Sequence, residues 1–362
     1  MNDRARTSRR FGARYVIALT AAVAVVFAAL DSAALTEWLD WHVFGRTDTL
    51  RLGAYEGDVG ALEWIAQERG FFAKTGLNVE MAGFASGKAA TEALRAGQVD
   101  VATAADYVVV SRSFAEPDLA VLGSISYYRN KAVVGRRDHG IRDARDLRGK
   151  RIGVTSPSSS EYSLNVFLAL NGVDSREVKF VPLEPQQLVQ ALAAGTVDAA
   201  ITWEPHVLAM QRALGAEAVT FEGRDFDAYL LLVARREGLA ERSRAVRKLL
   251  QALLLAEDWA RSHPEEAKRL VAARFKLEEA AVDGLWPRMW LEVRLPQELL
   301  ATMDGQARWL VQNGRAPAAA IPNYARFVRS DELKSVRPAA VTLFAEAPRE
   351  QASESAAKGS QR

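Results

Sequence analysis

One short block occurs twice in this 362-residue chain and restricts the fold more than any other feature. Ala93-Leu94-Arg95-Ala96-Gly97-Gln98-Val99-Asp100-Val101-Ala102 returns 98 positions later as Ala191-Leu192-Ala193-Ala194-Gly195-Thr196-Val197-Asp198-Ala199-Ala200, with seven of ten residues identical. In each copy apolar residues at helical spacing run up to a glycine, and a strand-like run then opens on Val-Asp. A glycine just past a helix takes the left-handed conformation that ends it. Helix–glycine–strand junctions occur throughout α/β proteins, but identity at seven positions makes coincidence the weaker explanation. Two similar α/β units are therefore expected. Four residues beyond each copy stand Asp106 and Glu204, matched again in acidity.

Strand and helix patterns alternate on either side of these blocks. Residues 50–54, 77–81, 99–104, 132–134, 151–154, 178–181, 197–201 and 229–234 read as strands. Apolar faces at Leu62/Ile65/Ala66, Ala89/Ala90/Ala93/Leu94, Leu164/Phe167/Leu168 and Leu188/Ala191/Leu192 read as helices closed by Gly70, Gly97, Gly172 and Gly195. Such alternation predicts mixed sheets flanked by helices. From Ser243 the chain turns mostly helical, with a wide stripe of Val246, Leu249, Leu250, Leu253 and Leu254. Residues 346–362 are polar and small without apolar periodicity, the composition of a disordered tail.

The net charge of +2 is unevenly spread. Residues 1–34 hold five arginines against Asp3 and Asp31, a net +3, which leaves −1 for the remainder. The body therefore has no global field for nucleic acid. After the arginines, residues 15–30 carry no charge, and Ser32-Ala33-Ala34 follow Asp31. A basic flank, an apolar core and a small-residue patch form an export signal. Sixteen uncharged residues leave cleavage and retention as an anchor both open, and Ser8-Arg9-Arg10-Phe11 leaves the twin-arginine route open beside the general one. Either way, residues from 35 onward, starting with a tether at 35–48, are expected outside the cytoplasmic membrane. The chain has no cysteine, so disulfides and thiolate chemistry are excluded. Its four histidines lack metal-ligand spacing, and neither a phosphate-binding glycine loop nor a Gly-x-Ser-x-Gly elbow occurs.

Four stretches, in order, carry a family likeness. They are Glu63-Trp64-Ile65-Ala66-Gln67-Glu68-Arg69-Gly70-Phe71-Phe72 with Thr75-Gly76-Leu77-Asn78-Val79; the block at 93–100; Asp146-Leu147-Arg148-Gly149-Lys150-Arg151-Ile152-Gly153-Val154; and the run ending Thr202-Trp203-Glu204-Pro205. Through them the chain resembles the periplasmic binding proteins of ABC transporters for sulfonates, taurine, nitrate and thiamine-pyrimidine precursors. The resemblance spans residues 49–260. It implies a two-lobed periplasmic-binding-protein fold of the type II kind, each lobe a mixed sheet flanked by helices, with a ligand cleft between them. Lobe 1 is expected to comprise 49–128 plus 236–345 and lobe 2 residues 129–235, the crossings lying near 127–132 and 232–237. It further implies a monomer without cofactor, a small-molecule ligand, hinge closure, and an inner-membrane ABC permease as partner. Enzymes on this fold and membrane-tethered sensors are the alternatives.

Binding without catalysis needs convergent hydrogen-bond donors, and helix starts supply them. Ser86-Gly87-Lys88 opens the helix that ends at Gly97, and Ser156, Ser158, Ser159 and Ser160 precede the helix of Leu164. The plainer reading of these serines is helix capping, and of Lys88 a solvated charge. Trp203 offers a flat wall and Glu204 an acceptor, with Asp106 and Tyr107 at the matching place in the other half. Two carboxylates facing the cleft would favour a zwitterion; capping or solvent exposure is the alternative for both. Glu56 and Gly57, after the first strand, complete the candidates, with Asp225 and Asp227 as weaker ones.

Overall fold

The computed structural model describes residues 47–223, 226–317 and 321–344. The leader at 1–34, nearly all of the tether, Asp225 and the tail at 346–362 lie outside them.

The first sheet has six strands: β1 (Asp48–Tyr55), β2 (Leu77–Phe84), β3 (Val101–Ala105), β4 (Leu119–Tyr128), β10 (Ala228–Arg235) and β11 (Met289–Trp290), in the order β11-β4-β10-β3-β1-β2. β1 and β3 run parallel, with Leu52 opposite Val101, while β10 is antiparallel to both β3 and β4. The second sheet has five: β5 (Lys131–Arg136), β6 (Arg151–Val154), β7 (Lys179–Pro182), β8 (Ala199–Trp203) and β9 (Ala218–Phe221), in the order β7-β6-β8-β5-β9. β6 is parallel to β7 and β8, and β5 is antiparallel to β8 and β9. Both sheets are thus mixed, as the alternation predicts.

The chain crosses from the first sheet to the second at Arg129-Asn130, inside the expected 127–132. Its return differs from expectation. β10 lies wholly within the first sheet, so the chain has returned by Ala228 rather than at 232–237, and lobe 2 ends before Ala228 rather than at 235. The reason is burial. Ala228 to Ala234 is buried throughout, and an unbroken apolar strand needs cover on both faces and partners on both edges, which the slot between β3 and β4 supplies.

The repeated block has a physical basis. Asp100 accepts from the Arg51 backbone N–H at 2.9 Å and from its Nε and Nη2 at 3.1 and 2.8 Å, and Arg51 Nη1 donates to Gly97 O. In the second sheet Asp198 accepts from the Arg151 backbone N–H, Nε and Nη2 at 2.8, 3.1 and 2.7 Å, and Arg151 donates to Gly195 O. Each aspartate therefore ties the strand that follows its helix to the parallel strand beside it. Gly97 and Gly195 both have φ of +70°, the conformation that lets the chain leave the helix and reach its aspartate.

Beyond β10, α8 (Ser243–Ser262) lays its apolar stripe on the first lobe. Val246, Leu249, Leu250 and Leu253 are fully buried there, each leucine contributing roughly 2 kcal/mol by leaving water. α8 packs on α1 (Ala61–Glu68) and α2 (Phe71–Lys74), so the chain's later helices complete the lobe that its first strands began.

Candidate functional site

A small cavity of about 40 Å³ lies where the strand ends of the two lobes face each other. The first lobe contributes Tyr55 from the end of β1, Ala105 from β3, Tyr128 from β4, and Ser86-Gly87-Lys88 at the start of α3 (Gly87–Arg95). The second contributes Thr155 after β6, Pro157, Ser158 and Ser159 at the start of α5 (Ser159–Leu170), and Trp203 at the end of β8. Asn130 of the crossing closes one side.

Local chemistry fixes each wall. Tyr55 is pinned through its backbone: its N–H donates to Thr103 Oγ1 at 2.9 Å, and Trp64 Nε1 donates to its carbonyl at 3.0 Å. Gly57 follows because a Cβ there would meet the Tyr55 ring at 2.3 Å. Ser86 caps α3, its Oγ accepting from the Ala89 N–H at 3.3 Å. At Gly87 a Cβ would lie 2.7 Å from Ala104 Cα, so glycine lets the helix start sit directly on β3. Across the cleft, Ser158 donates its hydroxyl to the Thr155 carbonyl at 2.5 Å. Two helix starts thus open onto one cavity, each carrying free N–H groups and the positive end of a dipole.

Of the sequence candidates, Ser86, Gly87, Ser158, Ser159 and Trp203 line this cavity together. The rest stand elsewhere. Ser156 donates to Glu161 at 2.6 Å, and Ser160 is fully buried behind the wall. Glu56 pairs with Arg274 at 3.0 Å, and Gly57 makes room for Tyr55. Asp106 is fully buried, accepting from the N–H groups of Tyr107 at 2.7 Å and Tyr229 at 3.3 Å. Tyr107 is buried and stacked on Tyr162. Glu204 accepts from the Leu208 N–H at 3.0 Å in the first turn of α7 (His206–Leu214), and faces an adjoining hollow that shares Asn130 with the cavity and holds Arg288 and Glu222. Neither carboxylate lines the cavity, so the sequence argument for a zwitterion loses its footing. The matched acidity reflects a shared position at a helix start, where an acid satisfies N–H groups.

Sequence reasoning missed Tyr128, Asn130, Val59, Val108 and Leu230, which also line the cavity. Tyr128 and Asn130 flank the crossing and were legible only as its neighbours, whereas the three aliphatic residues carry no signal beyond hydrophobicity. Asp227 instead holds the crossings together. It accepts from the Tyr127 hydroxyl and from Arg129 Nε and Nη2 at 2.5 and 2.8 Å, so the two connecting segments are clamped side by side.

Behind Asn130 lies Asp58, 2% exposed, whose carboxylate accepts from Asn130 Nδ2 at 3.3 and 3.2 Å. Burial pushes its carboxyl up to about 7, against the opposing pull of the Asn130 bond. Its folded value exceeds the unfolded one, so its favourable contribution is complete below about pH 4 and is lost as pH rises through about 7. Asp58→Asn is accordingly expected to raise Tm by a few degrees at pH 8, with the gain vanishing by pH 4. Melting curves of both proteins across that range check this, and a gain independent of pH would refute it.

Comparison with known proteins gives a consistent set of likenesses. The family model described as NMT1/THI5 like matches residues 61–267. The taurine-binding periplasmic protein of Escherichia coli (strain K12) is 26% identical over 243 residues, covering 67% of this chain and 69% of that protein. The structure of the alkanesulfonate-binding protein SsuA from Xanthomonas axonopodis pv. citri bound to MOPS superposes with a TM-score of 0.69 at 20% identity, covering 78% of this chain and 98% of that one. The desulfurization enzyme DSZB has the same fold, with a TM-score of 0.61 at 18% identity over 80% of this chain and 98% of its own.

Proposed function

Because the chain belongs to the NMT1/THI5-like family, we propose that it is the solute-binding component of an ABC importer, taking a small sulfonate-type anion into the cleft between its lobes. The observation that carries this reading is the convergence of two helix starts, one from each lobe, on a single cavity. Oxyanions suit such a site because backbone N–H groups and dipole ends stabilise negative charge without a buried counter-ion for every oxygen. Ligand contacts from both lobes also give closure a driving force, since a molecule held by both walls binds the closed form better than the open one. The closed shape is then what an inner-membrane permease would read, with the protein acting as a monomer.

The export reading of the amino terminus puts the protein in the periplasm or on the outer face of the cytoplasmic membrane. Amino-terminal sequencing of the protein recovered from membranes separates a cleaved leader from a retained anchor.

The likeness to DSZB favours a second reading, an enzyme on this fold. Among the described residues lining the cavity there is no carboxylate, histidine or cysteine, so an enzyme here would have to draw its nucleophile or base from the serine, threonine and tyrosine hydroxyls or from Lys88. One titration tests both. At a hundred times its Kd, a sulfonate ligand is expected to stabilise the fold by about 2.7 kcal/mol, a Tm rise of about 5 °C. It should also be recovered unchanged. Turnover would favour the enzyme, and a flat thermal response to every sulfonate would remove the transport reading.

A further inference from the structure

Granted the binding role just proposed, the second wall needs something to hold it against the first. Among the described residues, Tyr162 and Trp203 are the second-lobe side chains that pack on the core of the first lobe. Trp203 lines the cavity; Tyr162 does not. It lies three residues beyond Ser159 on the same helix start, one turn from the cavity wall. Its ring stacks on Tyr107 at 5.8 Å between centroids and meets Trp309 edge-on at 5.6 Å, while Tyr107 and Trp309 lie 6.1 Å apart. Tyr107 belongs to the first lobe's α4 (Asp106–Ser113), in sequence between Ala105 and Val108 of the cavity wall. Trp309 stands on the helix Gln297–Gln312, whose Leu299, Met303, Ala307 and Leu310 are buried in the same lobe's core.

Beside the rings a second tie crosses the cleft. Glu161, 4% exposed, has its Oε1 3.2 Å from Arg315 Nη2. Arg315 is itself fixed to the end of the Trp309 helix, its backbone N–H donating to Leu310 O at 2.8 Å. The other oxygen of Glu161 accepts from Ser156 Oγ, so the carboxylate is oriented from within its own lobe. We propose that Tyr162 and the Glu161–Arg315 pair form a clasp outside the cavity, which holds the two lobes closed and positions Ser158 and Ser159 against the first wall. A buried carboxylate is stable there only while paired, and stacked rings gain only while in contact, so both ties are made in the closed form and lost on opening. The clasp favours closure equally whatever solute is inside. Glu161, Tyr162 and Arg315 are thus positioning residues and not ligand contacts.

The chain has no cysteine, so Glu68→Cys and Leu170→Cys, at exposed positions of the two lobes, can carry spin labels that report the distance between lobes in the purified full chain. Tyr162→Ala and Arg315→Gln are each expected to shift the distances without ligand to longer values. Tyr162→Phe should keep them, because the ring contacts remain. A residue that only stiffened the helix start would lower the melting temperature and leave the distances unchanged; that result overturns the clasp. Calorimetric titration with 1-propanesulfonate, taurine and nitrate supplies the second reading. In Tyr162→Ala the Kd of every probe that binds should rise by one common factor, at least about fivefold, since a smaller closed fraction divides all affinities alike. A loss confined to one probe would make Tyr162 a ligand contact and overturn its positioning role. If no probe binds the wild type, the solute-binding reading falls, and the distances alone decide the clasp.

Discussion

Asp198→Ala is expected to destabilise the second lobe by about 3 kcal/mol, the largest stability effect of any single substitution suggested by the structure. Asp198 is buried and accepts from three nitrogens of Arg151, with His139 Nδ1 at 2.8 Å as a fourth neighbour. Removing it leaves the β6 backbone N–H without its partner and unties the Arg151 side chain, itself 42% exposed, from the start of β8. The Arg151 bonds outweigh burial and hold the Asp198 carboxyl well below its ordinary range. A depressed folded value means that the stabilisation is present above the unfolded pKa and is lost as pH falls through the acid range. Urea unfolding at pH 7 should therefore show a lowered midpoint, and the gap between wild type and variant should narrow under strongly acid conditions. A variant as stable as wild type at pH 7 would mean that the clamp is ornamental. Asp100 makes the same bonds to Arg51 in the first lobe, so its replacement should act there in parallel.

The second large effect concerns binding. Granted the proposed binding role, Trp203→Ala is expected to weaken a sulfonate ligand ten- to hundredfold, about 1.4–2.8 kcal/mol, while leaving the unfolding midpoint nearly unchanged. Trp203 closes β8 opposite Lys131, and the next residue donates its N–H to the Asn130 carbonyl at 3.0 Å, so the backbone stays tied to the crossing whatever the side chain. The indole itself is only partly buried; it forms cavity wall and packs against the edge of the first lobe's core, outside the second lobe's own clusters. Affinity that survives the substitution would take Trp203 out of the site; affinity and stability falling together would make it a packing residue.

Much of this was legible in the chain alone, and the structure explains which parts. β6 coincides with the strand read at 151–154, and helix ends fell at Gly97, Gly172 and Gly195, all with positive φ. Such features depend on local conformational preference and need no distant partner. β4, β9 and the two-residue β11 went unread, although β4 lies inside the first sheet and carries Tyr128 to the cavity. Its run Leu119 to Tyr128 is buried on nearly every residue, so it lacks the alternation by which half-exposed strands are recognised. The misplaced return crossing, which comes before Ala228 rather than at 232–237, has the same origin, because an apolar strand does not announce which sheet will bury it.

The site divides along the same line. Serines and a glycine at helix starts are written in capping grammar, and five of the twelve candidates, Ser86, Gly87, Ser158, Ser159 and Trp203, do meet in one cavity. By itself the sequence determined that two similar α/β units exist and that their helix starts carry donors, since both follow from contacts a few residues apart. Only the tertiary structure decided which side chains face one another across the cleft. Side-chain direction depends on which neighbours fill the space behind each residue. That rule sent Asp106 and Glu204 to backbone N–H groups, and left Lys88 as the single charged side chain among the described residues that line the cavity.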